Sequence, residues 1–364
     1  MLFNDVNVIY QDLQSPLRSI TISLKVVSLF YPHVLETLMK AWVCEALTGE
    51  DGLVFQAQPS LTCGAEQIRI KNHVIGLNFP DVLITRGLYQ MKLDPPFIPG
   101  SECAGEVIEV GSAVNNIAVG HRVLAMTGFG AFAEELLVSP PMQQVMAIPD
   151  TMSFDDAAAF NMVYGTAMHG LKQRANLESG ETVLVLGSAG GCGSAAVQIA
   201  KAMGATVIAG ASSDEKCQRT MTCGADFAVN YSSENLRDRV MAFTDNKGVE
   251  VVFDPVGDVL FKQAIRCLGW NGRYLVVGFA GGEIPKFAVN YTILKSIAVI
   301  GVAYGMSAID NPAMNQRNFG QLFDWYQQGL LKPLLDQPHT FSNIQRALTK
   351  LNDGKALGKL VVRI

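Results

Sequence analysis

Thr182-Val-Leu-Val-Leu-Gly187-Ser188-Ala189-Gly190-Gly191-Cys192-Gly193 is an apolar run that breaks into a glycine-rich turn, and the residues after it, Ser194 to Met203, carry a helical pattern. Strand, turn and helix thus follow in the order of a phosphate-binding unit. Gly187, Gly190 and Gly193 fall at the spacing that permits a tight turn, close approach of backbone to a pyrophosphate, and tight helix packing. The helix start adds unpaired N–H groups that attract anions. The turn residues Gly187, Ala189, Gly190, Gly191, Cys192 and Gly193 are therefore read as a dinucleotide site; the competing reading is a glycine turn in a non-binding α/β domain. Cys192 reads as a small packing residue and not as a nucleophile.

Beyond the turn, strands and helices alternate: Thr206 to Ala211, a helix through Cys217, Ala228 to Tyr231, a helix near Leu236, Val249 to Phe253, a helix over Phe261 to Leu268, and Tyr274 to Phe279. Parallel strands need crossover helices and read as continuous apolar runs, so this stretch predicts a parallel sheet covered on both faces. On the other side, Met39 to Pro149 shows short alternating strands broken by Gly and Pro, at Gln67 to Ile75, Ala104 to Val110, Arg122 to Met126 and Glu135 to Val138. A helix with Ser153 as N-cap runs from Asp155 to Leu171. The strand-like tail Gly358 to Ile364 can return to the first region. The fold class expected is α/β, a Rossmann doubly wound parallel sheet (161–305) inserted in a β-rich domain (39–160 and 306–364).

Residues 1–38 form an unassigned N-terminal extension. They hold no Gly, and their apolar run, Ile20 to Tyr31, is interrupted by Lys25 and too short to span a bilayer. Asp5 and Asp12 count against a signal peptide or a mitochondrial presequence. Met39 is an alternative start.

An acidic residue at the end of the second strand would bind the ribose hydroxyls of NAD. Here that position reads Gly210-Ala211-Ser212-Ser213, with Lys216 one helical turn on. Neutral hydroxyls and a nearby cation tolerate a 2′-phosphate, so the reading is NADPH, with Asp214 as the opposing signal. At 364 residues, 49% hydrophobic and a net charge of −5 without a basic block, the chain is an enzyme-sized globule, and no nucleic-acid or membrane partner is expected. Seven scattered cysteines predict reduced thiols in an intracellular compartment, the cytoplasm or the mitochondrion.

The segment Gly180-Glu181 through Leu184, Ser188 to Gly193, Gln198 and Lys201 resembles the quinone oxidoreductase and zeta-crystallin branch of the medium-chain dehydrogenase/reductases. In the first region Gly76-Leu-Asn78-Phe-Pro-Asp81, Arg86-Gly87-Leu88-Tyr89, Pro99-Gly100-Ser101-Glu102 and Ala104-Gly105 are similar to its GroES-like substrate domain. The resemblance covers about Met39 to Ile364. It implies that Asn78, Asp81 and Tyr89 border the substrate cleft and that Thr166 lies beside the nicotinamide. Ser212 and Ser213 belong to the cofactor site, and Lys216 with Tyr231 implies the pair that holds the 2′-phosphate. Gly278 and Phe279 imply the loop over the nicotinamide end, and Lys355 a basic residue near the phosphate. A homodimer through the strand near Ile297 to Val302 is implied as well. His121, in place of the branch's Asp, and Leu83, in place of an aromatic residue, depart from the pattern.

Zinc-using members need a thiolate and an imidazole where this chain has Asn78 and Ser101, and their four-cysteine lobe has no counterpart around Cys103. His73, His121 and His169 are read as ordinary polar residues, and no metal is expected. Three functions stay in play: hydride donation to a small-molecule quinone, reduction of a conjugated carbonyl such as an enal, enone or enoyl thioester, and a non-catalytic NADPH-binding role.

Overall fold

The computed structural model describes residues 38–140 and 142–364; the readings made for residues 1–37 lie outside the described residues. The first lobe opens with a two-stranded sheet, β1 (Leu38–Cys44) and β2 (Leu53–Pro59). It continues with β3 (Ile68–Gly76), helix α1 (Phe79–Thr85), β4 (Glu102–Val110), β5 (Arg122–Met126), β6 (Glu135–Val138) and β7 (Gln144–Ala147). Then α2 (Phe154–Ala158) and α3 (Asn161–Met168) lead into β8 (Thr182–Val185).

The helix expected from Asp155 to Leu171 is broken between α2 and α3 and ends in a wider π-helical turn, His169–Arg174. Its start is as expected, with Ser153 Oγ accepting from Asp156 N at 3.1 Å.

The second lobe alternates β8, α4 (Gly191–Ala202), β9 (Thr206–Ala211), α5 (Asp214–Thr222), β10 (Phe227–Asn230), α6 (Leu236–Phe243), β11 (Val249–Asp254), α7 (Phe261–Cys267), β12 (Leu268–Val276), α8 (Tyr291–Lys295) and β13 (Ala298–Gly301). All pairings are parallel, in the order β10-β9-β8-β11-β12-β13. The apolar run at 183–186 is continuous because both faces are covered. Val183 and Val185 pack with α3 and α4 residues such as Tyr164 and Ala196, while Leu184 and Leu186 pack on the opposite face with Leu236 and Ala264. β12 starts six residues before the expected Tyr274. Asn271, at φ 59°, and Gly272 let the chain bulge there, shifting the register against β11 between Val249 and Val251.

Helices α9 (Tyr304–Asp310) and α10 (Pro312–Gln327) follow, then β14 (His339–Thr340), α11 (Ile344–Asn352) and β15 (Val361–Arg363). The tail returns: β15 runs antiparallel to β3 in the sheet β14-β15-β3-β4-β5-β7, with β6 also on β3. The molecule is a mixed α/β fold with a parallel Rossmann-type sheet beside β-rich GroES-like sheets. No helix among the described residues is long and apolar enough to cross a membrane.

Candidate active site

Strand order reverses at β8, whose neighbours are β9 on one side and β11 on the other. Ligands of open parallel sheets bind outside the strand ends at such a point, and the glycine turn lies there. Gly187 has φ 54°, and a Cβ on it would come within 2.9 Å of Val256. A Cβ on Gly193 would stand 2.2 Å from the Gly187 carbonyl oxygen, so the helix can pack against the turn only without a side chain. Ser188 Oγ donates to Gly210 O at 2.9 Å, tying the turn to β9. Ala189 is buried, and burial pushes the Cys192 thiol up to about 12, which fits a packing role. This cradle, opening on the N-terminus of α4, fits a dinucleotide pyrophosphate.

At the end of β9, Lys216 Nζ donates to Ser212 Oγ at 3.0 Å, and the Tyr231 side chain lies close to Ser212, its hydroxyl held above the usual phenol range by burial. Ser213 is the N-cap of α5 and accepts from Lys216 N at 3.3 Å. Asp214, the opposing signal, accepts from Asn230 Nδ2 at 2.7 Å. Lys355 is exposed and paired to Asp353 at 2.8 Å, while the adjacent Gly354 carbonyl accepts from Lys216 Nζ at 2.7 Å. The structure thus brings Ser212, Lys216 and Tyr231 together, with the Lys355 backbone alongside and its ammonium directed elsewhere.

Thr166 lies half-buried on α3. The loop after β12 is laced to the loop after β11: Gly278 N donates to Asp254 O at 3.3 Å and Ala280 N to Pro255 O at 3.1 Å, with Phe279 against Gly257. Asp254 is a turn anchor: Oδ1 accepts from Val256 N at 2.8 Å and Gly257 N at 2.9 Å, and Oδ2 from the Tyr274 hydroxyl at 2.5 Å.

The first lobe contributes a buried polar network. Asn78 precedes α1, and Asp81 Oδ2 reaches back to accept from Asn78 N at 2.7 Å, half of a capping box. Asp81 Oδ1 accepts from Ser101 Oγ at 2.8 Å. Full burial raises Asp81 to about 6, against the hydrogen bonds from Asn78 and Ser101. Tyr89 is half-buried, its hydroxyl has no hydrogen-bond partner among the described residues, and burial with the nearby Asp81 holds its pKa above the usual value.

Two members of this network carry no role in the sequence reading. Glu102 accepts from Asn78 Nδ2 at 2.9 Å and, through its other oxygen, from Met162 N at 2.7 Å, in the first turn of α3. Lys359 reaches in from the tail and donates to Asn78 Oδ1 at 2.5 Å and Glu102 Oε2 at 2.8 Å. The only sequence signal for Lys359 is a lysine inside the apolar stretch Leu357 to Val362, which an edge strand explains equally well. His73 stacks on Phe154 at 4.5 Å, exposed His121 accepts from Ala118 N at 3.3 Å, and His169 is buried on its π-turn. No three His, Cys, Asp or Glu side chains cluster as a metal site among the described residues.

Residues 191–324 match the zinc-binding dehydrogenase family, and residues 64–150 match the alcohol dehydrogenase GroES-like domain. The quinone oxidoreductase-like protein 2 homolog of Nematostella vectensis is 37% identical over 301 residues, 82% of each chain. The crystal structure of Escherichia coli quinone oxidoreductase complexed with NADPH superposes with a TM-score of 0.82 at 26% identity, covering 89% of this chain and 100% of that one. CurK enoyl reductase superposes at 0.79, also at 26% identity, covering 89% and 99%. Fold, glycine turn and these relatives together define a nicotinamide-dependent oxidoreductase of two lobes. Within that class, the chain belongs to the quinone oxidoreductase branch of the medium-chain dehydrogenase/reductases.

Proposed function

We propose that the protein is a zinc-independent reductase that uses NADPH to reduce a quinone or a similar electron-poor small molecule. The observation that carries the reading is the buried pair of side chains Asn78 and Ser101. Both are neutral, both are hydrogen-bonded into one network, and neither has the charge or softness that a catalytic zinc needs. The quinone oxidoreductase relatives support the acceptor class.

The Ser212, Lys216 and Tyr231 constellation supports NADPH over NADH, with a hydroxyl, an ammonium and a phenol converging where a ribose 2′-phosphate would lie. Bound NADPH supplies the hydride. The glycine cradle and the α4 N-terminus hold the pyrophosphate, and Thr166, Gly278 and Phe279 confine the nicotinamide end. Without a metal to polarise an alcohol, the acceptor has to be electron-poor already, and the protein's part is to orient it, exclude water and donate hydrogen bonds to its oxygen.

Reduction of a conjugated carbonyl is the second reading. The likeness to CurK enoyl reductase favours it, and Tyr89 supplies a protonated hydroxyl in the cleft for the carbon left basic by hydride addition. Absorbance assays of NADPH and NADH against quinones and conjugated enals test both readings. Fastest turnover of NADPH with a quinone supports the first, preference for an enal moves the second ahead, and preference for NADH defeats the 2′-phosphate site.

Two copies are proposed to pair through β13, the outer strand of the parallel sheet, where Val299 and the neighbouring Ile293 and Leu294 are exposed. A monomer in sedimentation equilibrium at micromolar concentration would end that proposal.

A further inference from the structure

Lys359 is a cation almost wholly enclosed beside Asn78, its side chain 4% exposed and that of its partner Glu102 fully buried. Its stem lies along the phosphate turn, since a Cβ on Gly191 would stand 3.1 Å from Lys359 Cδ. Ammonium, amide and carboxylate form a closed ring: Lys359 donates to Asn78 Oδ1 and to Glu102 Oε2, and Asn78 Nδ2 donates to the same Glu102 oxygen. An ammonium can bond only to the oxygen end of the amide and a carboxylate only to its nitrogen end, so charge fixes which way Asn78 faces. One Nδ2 hydrogen is spent on Glu102. The other meets only long contacts, Gly76 O at 3.3 Å and Ser101 Oγ at 3.4 Å. A buried ion pair costs more than apolar packing of the same volume would, so a steric role alone gives no reason for these two charges.

We infer that Lys359 is a positioning residue for the reduction: it locks the Asn78 amide and polarises it, so that the loosely held N–H is presented to the acceptor oxygen as negative charge gathers there. The inference rests on the reductase reading of the cleft. It gives the tail of the chain a part in the chemistry, and it places one side chain in contact with both the phosphate turn and the acceptor network.

Lys359→Met alone would leave Glu102 buried and unpaired, so the test uses E102Q/K359M, which removes both charges and keeps an acceptor for Met162 N. The pair of substitutions is made in the natural chain and in Asn78→Ala, with single-turnover NADPH oxidation by a quinone as the rate. The expected result is a rate about thirty-fold lower with Asn78 present and less than about three-fold lower without it, with the KM for NADPH within about two-fold throughout. Equal losses in the two backgrounds, or none in either, would overturn the inference.

A second readout needs no turnover. The Asn78 side-chain amide protons, assigned by NMR in the cofactor-free protein through their loss in N78A, are expected to exchange with solvent about ten-fold faster in E102Q/K359M. Unchanged exchange would defeat the lock directly. Slow exchange in a natural chain that consumes no NADPH with any acceptor would sink the reductase reading, and the catalytic purpose of the lock with it.

Discussion

Around the glycine turn and the end of β9 the parts are neighbours in sequence: Ser212 and Lys216, four positions apart, are hydrogen-bonded, and the glycine turn spans seven residues of a single strand-turn-helix unit. In the buried network of the first lobe they are strangers: Asn78 meets Lys359 across 281 positions, and Glu102 meets it across 257. The first end works through backbone shape and is partly open to water. The second works through charges that are out of water. A binding site for an anion needs N–H groups and room, which a local motif provides. A site that must steer developing charge needs fixed polar groups in a dry place, and those are held only when several segments lock them.

The largest effect expected is at the shape-determined end. Gly193→Ala puts a methyl group 2.2 Å from the Gly187 carbonyl oxygen. Helix and turn must then separate, and the N–H groups at the start of α4 move out of the cradle. NADPH affinity, followed by the change in nicotinamide fluorescence, is expected to fall by about two orders of magnitude, with overpacking costing about 1–3 kcal/mol of stability. Affinity within about two-fold of the natural chain would show that the turn tolerates bulk and that shape does not rule there.

The next effect belongs to the charge-determined end. Burial raises Asp81 to about 6. The folded protein therefore holds a proton on this group that the unfolded chain, near 3.8, has already released, and stability falls as pH rises from about 4 through 6. Asp81→Asn removes the titration, while the Ser101 hydroxyl can turn round to accept from the new amide. Denaturant unfolding at pH 4.5 and 7.5 is expected to show the variant gaining about 2 kcal/mol on the natural chain between the two. A pH-independent difference would mean that Asp81 is not desolvated as the structure has it.

The same contrast explains what the sequence discloses. The glycine turn, the alternation after it and the contact of Ser212 with Lys216 were legible because each is a local pattern, set by strand period, turn geometry and helix spacing. The break between α2 and α3 was not, because nothing in the alanine-rich stretch 157–167 forbids a single helix. The early start of β12 was hidden because Leu268 and Gly269 continue the pattern of α7 until the bulge at Asn271 intervenes. The resemblance singled out Asn78 as a cleft residue, but its partners are matters of tertiary contact, and a lysine beside Leu360 looks the same whether it faces water or Glu102.

Lys216 sharpens the comparison from the phosphate side. If its ammonium serves the 2′-phosphate, Lys216→Ala should raise the KM for NADPH about twenty-fold, the loss of one charge-assisted hydrogen bond, and leave that for NADH within about two-fold. A like increase for both cofactors would assign Lys216 to the Gly354 contact that joins α5 to the tail, and not to the phosphate.

Tyr89 gives the smallest effect and the finest division. A quinone that accepts hydride becomes an oxyanion, which takes its proton from water without help, whereas a conjugated carbonyl leaves a basic carbon that needs a placed acid. The Tyr89 hydroxyl has no partner among the described residues, and its pKa lies above the usual value because of burial first and Asp81 second. It therefore carries its proton at neutral pH. Tyr89→Phe is expected to slow turnover of an enal about ten-fold and to leave quinone turnover within about two-fold, measured at saturating NADPH. Equal loss with both acceptors would make Tyr89 a wall of the cleft, since a ring that only shapes the pocket has no means of telling one acceptor's proton demand from the other's.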